Sequence, residues 1–396
     1  MPDMKSSPAR TVLVVDSKSN KSCLYAIFPA ALLACAVLFL TSSLYSQSYK
    51  DKLSSFKMDV GHIMESNDKC KKQCRPSGSE ALPEGIISST SDFEMRALWE
   101  PARSKKVHND VVVKVNVSSN LFAMAVGLKQ KDLVNKMVKK FLASNFTVML
   151  FHYDGMVDGW KIFEWSDHVI HISVADQTKW WFAKRFLHPD IVADYDYIFL
   201  WDEDLGVENF HPDKYISIVK EEGLEISQPA LDPKLSEVHH QITARGRRSK
   251  VHRRTYKTAN DGKGCDESST APPCTGWIEV MAPVFSKAAW RCVWHMIQND
   301  LVHAWGLDMQ LGYCSQGDRM KNVGVVDAEY IVHYNRPTLG GIDKNTTVSV
   351  SSQEKEDHRV DVRRLSYHEL DIFKKRWEKA VDEDKCWVDP FEQQLE

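Results

Sequence analysis

The chain has no C-x-x-C pair among its nine cysteines, no G-x-G-x-x-G after its first strand-like segment, and no excess of charge of either sign. The first absence removes zinc knuckles and thioredoxin-like redox motifs. The second removes the glycine loop with which dinucleotide-binding folds cradle a pyrophosphate. The third, a formal net charge of −3 with a pI near 6.6, removes the strongly basic footprint of a nucleic-acid-binding domain, and no segment reads as an RNP sheet. Nucleic acid is therefore not an expected partner. Nine cysteines scattered over 396 residues are also too few for a small disulfide scaffold. What remains is an ordinary globular composition, 43% hydrophobic and 27% charged, with enough chain for a large core.

One apolar run is long. Ser22 to Tyr49 carries no charged residue, and its centre, Leu24 to Leu44, is rich in Ala, Leu, Val, Ile and Phe. A bilayer needs about 20 such residues. Lys5, Arg10, Lys18 and Lys21 outnumber Asp3 and Asp16 ahead of it, which keeps the N-terminus in the cytosol. The expected organisation is a cytosolic tail (1–21), a transmembrane signal anchor (22–46), a stem or linker (47–107) and a lumenal domain (108–396). The alternative, a cleaved signal peptide, has Ser42, Ser43 and Ser46 as its small residues. The stem is assigned from its polar composition, its Ser77-Gly78-Ser79 and its prolines Pro76, Pro83 and Pro101. Sequons at Asn116, Asn145 and Asn345 fit a lumenal location. There Cys265 and Cys274 could close a short loop, and Cys70 or Cys74 could join two chains into a homodimer. For Cys292 and Cys314 the competing reading is burial as free thiols.

From Leu121 onward, strand-like and helix-like segments alternate. Leu121–Gly127, Phe146–Phe151, His168–Val174 and Tyr197–Trp201 read as strands, with helices over Gln130–Ala143 and from Thr178 to Leu187. This pattern predicts an α/β fold whose mixed, mostly parallel sheet is flanked by helices. Tyr197–Trp201 stops at Asp202, Glu203 and Asp204, which places carboxylates at the carboxyl end of a buried strand, where open α/β sheets bind ligands. Residues two apart in a strand point to one side, so Asp202 and Asp204 can face one ion. Such oxygen donors suit Mg²⁺ or Mn²⁺. Three later features bear on this strand end: a Gly276-Trp277 turn leading through a short strand into a helix, Asp308 after Trp305-Gly306-Leu307 at a helix start, and His333 at the end of a late strand. Arg245 to Lys257 is a basic segment, read either as a solvated loop or as a clamp for phosphates.

The order of these features resembles the GT-A fold of nucleotide-sugar glycosyltransferases. That resemblance implies a first α/β half that binds a nucleoside, an Asp202-x-Asp204 motif and His333 around a Mn²⁺ or Mg²⁺ ion, and Asp308 as the base that serves an acceptor hydroxyl. Lys184 or Arg185, in the basic helix ahead of the acidic strand end, would face the phosphates, with helix-surface solvation as the competing role for at least one of them. Trp277 could stack on a sugar, with core packing as its alternative. The anchor, stem and sequons resemble those of Golgi glycosyltransferases. The implied partners are a nucleotide-sugar donor and a glycan or other hydroxyl acceptor.

A closer resemblance, carried by LWDEDLGVENF, ISQPALDP, CTGWIEVMAPVFS and HAWGLDMQLGYC, is to a plant family of single-pass proteins of unknown function labelled lysine-ketoglutarate-reductase trans-splicing-related. The label supplies no chemistry that these residues support. Two rivals to the transferase are a lumenal binding or scaffold protein of the same shape and a metal-dependent hydrolase or phosphotransferase. The latter should bring a second cluster of ligands for a two-ion site, and the sequence has no clear one.

Overall fold

Helix α1 (Glu84–Ser88) is followed by strand β1 (Asn120–Val126), whose side chains show how the sheet is covered. Leu121 and Ala123 enter one apolar layer, whereas Phe122, Met124 and Val126 enter the other. The same alternation holds in β2 (Thr147–His152) and β4 (Tyr197–Trp201): Phe151, Ile198 and Leu200 face one side, and Leu150, Phe199 and Trp201 the other. Successive strand residues point to opposite faces, so an unbroken apolar run is what a strand covered on both sides requires. The computed structural model describes residue 70 and residues 75–88, 118–256, 264–336 and 358–391. The chain divides into two units, Met1–Gln73 and Cys74–Glu396, and the sheet with its helices belongs to the second. The tail and anchor expected at 1–46 lie outside the described residues, as do Asn116, Asn345 and Cys74. Among the described residues no helix is long and apolar enough to cross a membrane.

The nine-stranded sheet has the order β3-β2-β1-β4-β8-β6-β9-β5, with β7 (Val251–His252) beside β9. Its first half, β3 (Ile170–Ser173) to β4, is wholly parallel. Beyond β4, the short β8 (Val284–Ser286) runs antiparallel between β4 and β6 (Ile226–Leu231), and β6 pairs in parallel with β9 (Val323–His333). Parallel pairing dominates, because the antiparallel ladders are only two or three residues long. Pro229 lies inside the fully buried β6, where the register against β9 shifts, the kind of irregularity that lets a proline sit in a sheet interior.

Helices α2 (Lys131–Ala143) and α4 (Pro212–Glu221) cover one face. Phe141 of α2 stacks on Phe122 with ring centroids 3.7 Å apart and meets Trp201 edge-on at 5.3 Å. Helices α3 (Lys179–Phe186) and α5 (Lys287–Met296) cover the other, followed by the short α6 (Leu307–Gln310) and α7 (Arg319–Asn322) and the long α8 (His358–Glu383). Thr178 caps α3 by accepting from the Trp181 amide, and the helix ends at Leu187, ahead of His188-Pro189, as the sequence predicts.

Two expectations change. Residues 75–88, within the stretch read as stem, belong to the folded unit: Leu82 and Ile86 are fully buried, and Arg75 pairs with Asp384 just past α8 at 2.5 Å. A five-residue helix is too short to show a period, which is why this segment reads as linker. Cys292 and Cys314 are not free thiols but a buried disulfide joining α5 to the turn after α6; Cys265–Cys274 closes its loop as expected. Cys70 is likewise disulfide-bonded, which removes it as a link between two chains.

Candidate active site

The end of β4 delivers three carboxylates in different directions. Glu203 turns back into the fold, fully buried, where it accepts from the Gly127 amide at 2.7 Å and from the Tyr153 hydroxyl. It thereby ties β4 to the ends of β1 and β2. Burial pushes its carboxyl up to about 8 against the pull of those two hydrogen bonds. Asp204 enters the short β5 (Leu205–Gly206), where Leu205 pairs with His333 of β9. This register sets the Asp204 Oδ2 3.4 Å from His333 Nε2, and the same oxygen accepts from the Arg336 amide at 2.8 Å. Asp202 stays in the cleft with 39% of its side chain open to water, its Oδ1 2.6 Å from the Lys179 ammonium. Loss of water around the carboxylate raises it, opposed by Lys179 and reinforced by Asp204.

Glu279, unremarked in the sequence, joins this group. Its backbone amide donates to Gln228 Oε1 at 2.5 Å, which explains a fully buried glutamine in β6, and its Oε2 is buried with no hydrogen-bond partner. Burial pushes the Glu279 carboxyl up to about 7; His333 opposes this, and Asp308 and Asp202 add to it. Glu279 is thus coupled both to the acidic strand end and to Asp308. Burial also raises Asp308, against donation from Met309. The indole N–H of Trp277 is near that carboxylate without closing a hydrogen bond of good geometry. Trp277 is itself buried against His240, 4.6 Å between rings, so core packing rather than an open sugar platform is its place. His333 is lowered by burial but raised further by Asp204, Asp202 and Glu279, for a net rise; its Nδ1 is buried with no partner.

Asp202, Asp204 and His333 are therefore brought together where β4 ends, and Asp308 is linked to them through Glu279. Lys184 and Arg185 are not placed as expected. The Lys184 ammonium is buried, donates to the Trp294 carbonyl at 2.8 Å and lies 3.5 Å from that ring's centroid; Arg185 stacks on Trp181. The physical reason is direction. A crossover helix runs back from the carboxyl edge of a parallel sheet, so the start of α3 is at the cleft and its last turn is far from it. The basic residue at the cleft is accordingly Lys179, the first of the helix. The basic segment is largely structural as well: Arg245 lies over Tyr330, Lys250 pairs with Glu221, Arg253 with Glu222, and Arg254 donates to carbonyls of the Cys265–Cys274 loop.

Among the described residues, no three His, Cys, Asp or Glu side chains are drawn together tightly enough to hold an ion as they stand. The donor chemistry nonetheless fits a hard divalent cation: carboxylate oxygens of Asp202 and Asp204, one imidazole, and an orphaned buried oxygen on Glu279 beside them.

Several solved structures resemble the chain. The S. aureus TarS fragment 1–349 aligns at 10% identity with a TM-score of 0.32, over 54% of this chain and 59% of that one. The mannosyltransferase Ktr4p from S. cerevisiae aligns at 12% identity with a TM-score of 0.21, over 41% and 52%, and its complex with GDP does so at 11% identity with the same TM-score, over 41% and 53%. The chain thus spans between half and three-fifths of these structures. No curated protein matches it. A family model described as "Protein of unknown function (DUF707)" matches residues 73–383, the greater part of the sequence and nearly all of the folded unit, and the chain belongs to that family.

Proposed function

We propose that the protein transfers a sugar from a nucleotide-sugar donor to a glycan or other hydroxyl acceptor, with Mn²⁺ or Mg²⁺ held by Asp202, Asp204 and His333. The observation that supports this reading is the meeting of those three groups where β4 ends, with Glu279 coupled both to them and to Asp308. Bound there, the ion would supply positive charge against the negative charge developing on the leaving diphosphate. Asp308 takes the proton of the acceptor hydroxyl while its oxygen bonds to the anomeric carbon and the bond to the diphosphate breaks; attack from the face opposite the leaving group inverts configuration. Burial favours this role, because a raised carboxyl is a stronger base than a solvated one. The proposal includes a Golgi-type, type II membrane protein with its catalytic domain in the lumen. Supporting this are the uncharged 22–46 stretch, the disulfides Cys265–Cys274 and Cys292–Cys314, and an exposed sequon residue, Asn145, in the turn after α2.

The test is thermal stability of the full-length protein and of Asp204→Ala with a panel of nucleotides, each with and without Mn²⁺. Ligand at one hundred times its dissociation constant stabilises the folded state by roughly 2.7 kcal/mol. The expected result is a Mn²⁺-dependent rise with one nucleoside diphosphate, absent in Asp204→Ala. A folded wild-type protein that responds to no nucleotide would favour the non-catalytic lumenal binding protein instead.

A further inference from the structure

We propose that Lys179 is the resident cation of this cleft, holding Asp202 in an ion pair that a divalent ion must displace. The inference rests on the reading of Asp202, Asp204 and His333 as metal donors. Lys179 is the first residue of α3, where the positive end of the helix dipole disfavours an ammonium and favours an acid. Its side chain is nevertheless drawn out of water, 9% exposed, with Nζ 2.6 Å from Asp202 Oδ1 and 2.7 Å from the Val280 carbonyl it donates to. Pairs on the outer face of α8, such as Lys375–Asp371, are more than half exposed on both sides and are of the kind that contributes little. Lys179 is different because Asp204 bears on the same carboxylate: without the ammonium, Asp202 and Asp204 would repel one another with only the His333 ring beside Asp204 to offset them.

The same placement sets a penalty on metal binding. A divalent ion that takes Asp202 leaves the ammonium beside a second, larger positive charge, with one partner fewer. A diphosphate would relieve this by presenting anionic oxygens to both cations, so the ion and a nucleoside diphosphate should each strengthen the other's binding.

The probe is Mn²⁺ alone, titrated into the full-length wild type, Lys179→Met, Lys179→Arg and Asp204→Asn, with free Mn²⁺ read by its electron paramagnetic resonance signal. Lys179→Met is expected to bind Mn²⁺ at least about tenfold more tightly than wild type, with Lys179→Arg close to wild type. If Lys179→Met binds no better than wild type while Asp204→Asn abolishes binding, the metal reading stands and the role of Lys179 falls. If no variant binds Mn²⁺, both fall. Lys179→Gln, which can still donate to the Val280 carbonyl, replaces Lys179→Met should that variant not fold.

Discussion

Glu279 and Glu203 are buried carboxyls of opposite character. Both oxygens of Glu203 are used, one by Gly127 and one by Tyr153, and a methyl group added to Gly127 would fall on the Tyr153 hydroxyl, so the three groups form a close-fitted staple beneath the strand end. Glu279 has an oxygen with no partner. Its carboxyl, raised by burial from 4.5 to about 7, keeps in the folded state a proton that the unfolded chain releases. The stability this contributes is full below the unfolded value and is lost as pH rises through the folded one. Glu279→Gln, which cannot ionise, should therefore lose less stability than wild type as pH rises. The gap should widen between about pH 5 and 8 to on the order of 2 kcal/mol, measured by urea denaturation at successive pH values. Parallel pH profiles for the two proteins would show that Glu279 does not carry this proton.

At the scale of elements, α8 braces the loop that presents Asp308. Glu369 accepts from the His303 amide at 2.8 Å and pairs with its ring at 2.9 Å, and Phe373 and Leu370 pack so closely on Gly306 that a side chain there would collide with them. Gly306 also takes the left-handed φ of 94° that glycine tolerates best. Trp377, nearly buried, meets Tyr313 at 5.0 Å between ring centroids. Trp377→Ala should cost roughly 3–5 kcal/mol, read as a lower urea midpoint. This helix is hard to see in the sequence because its buried stripe, Ser366, Glu369, Phe373, Trp377 and Ala380, has helical spacing but begins with two polar residues. The strands are legible for the opposite reason: β1, β2 and β4 are apolar on both faces, and no other local pattern competes with that. In the cleft, Asp202, Asp204, Asp308 and His333 stand out because they lie where apolar runs stop. Lys179 and Glu279 do not: Glu279 is a lone charge inside an apolar segment, Lys179 is one of three basic residues in a short helix, and the meaning of each comes from partners distant in sequence.

For the molecule as a whole, the decisive boundary is upstream. Composition places the start of the folded domain near residue 108, but Leu82, Ile86 and Ile87 are buried in the layer that also holds Trp290, Phe373 and Trp377. Arg75 donates to both the Leu82 carbonyl and Asp384, and the Glu84 amide donates to the same Asp384 oxygen. The upstream segment and the end of α8 thus close on each other, and α8 in turn holds the Asp308 loop through Glu369. Exposing three buried aliphatic side chains removes about 5 kcal/mol. That is comparable to the whole stability of a typical domain, about 5–15 kcal/mol. A fragment of residues 108–396 should therefore be poorly soluble or unfold at far lower temperature than a fragment of residues 74–396, compared by circular dichroism melting. Adding Leu82→Asp to the longer fragment should reproduce the defect, since it buries a carboxylate where an apolar side chain packs. Equal melting of the two fragments would mean that residues 75–88 decorate the core without supporting it, and that the Asp308 loop is held by α8 alone.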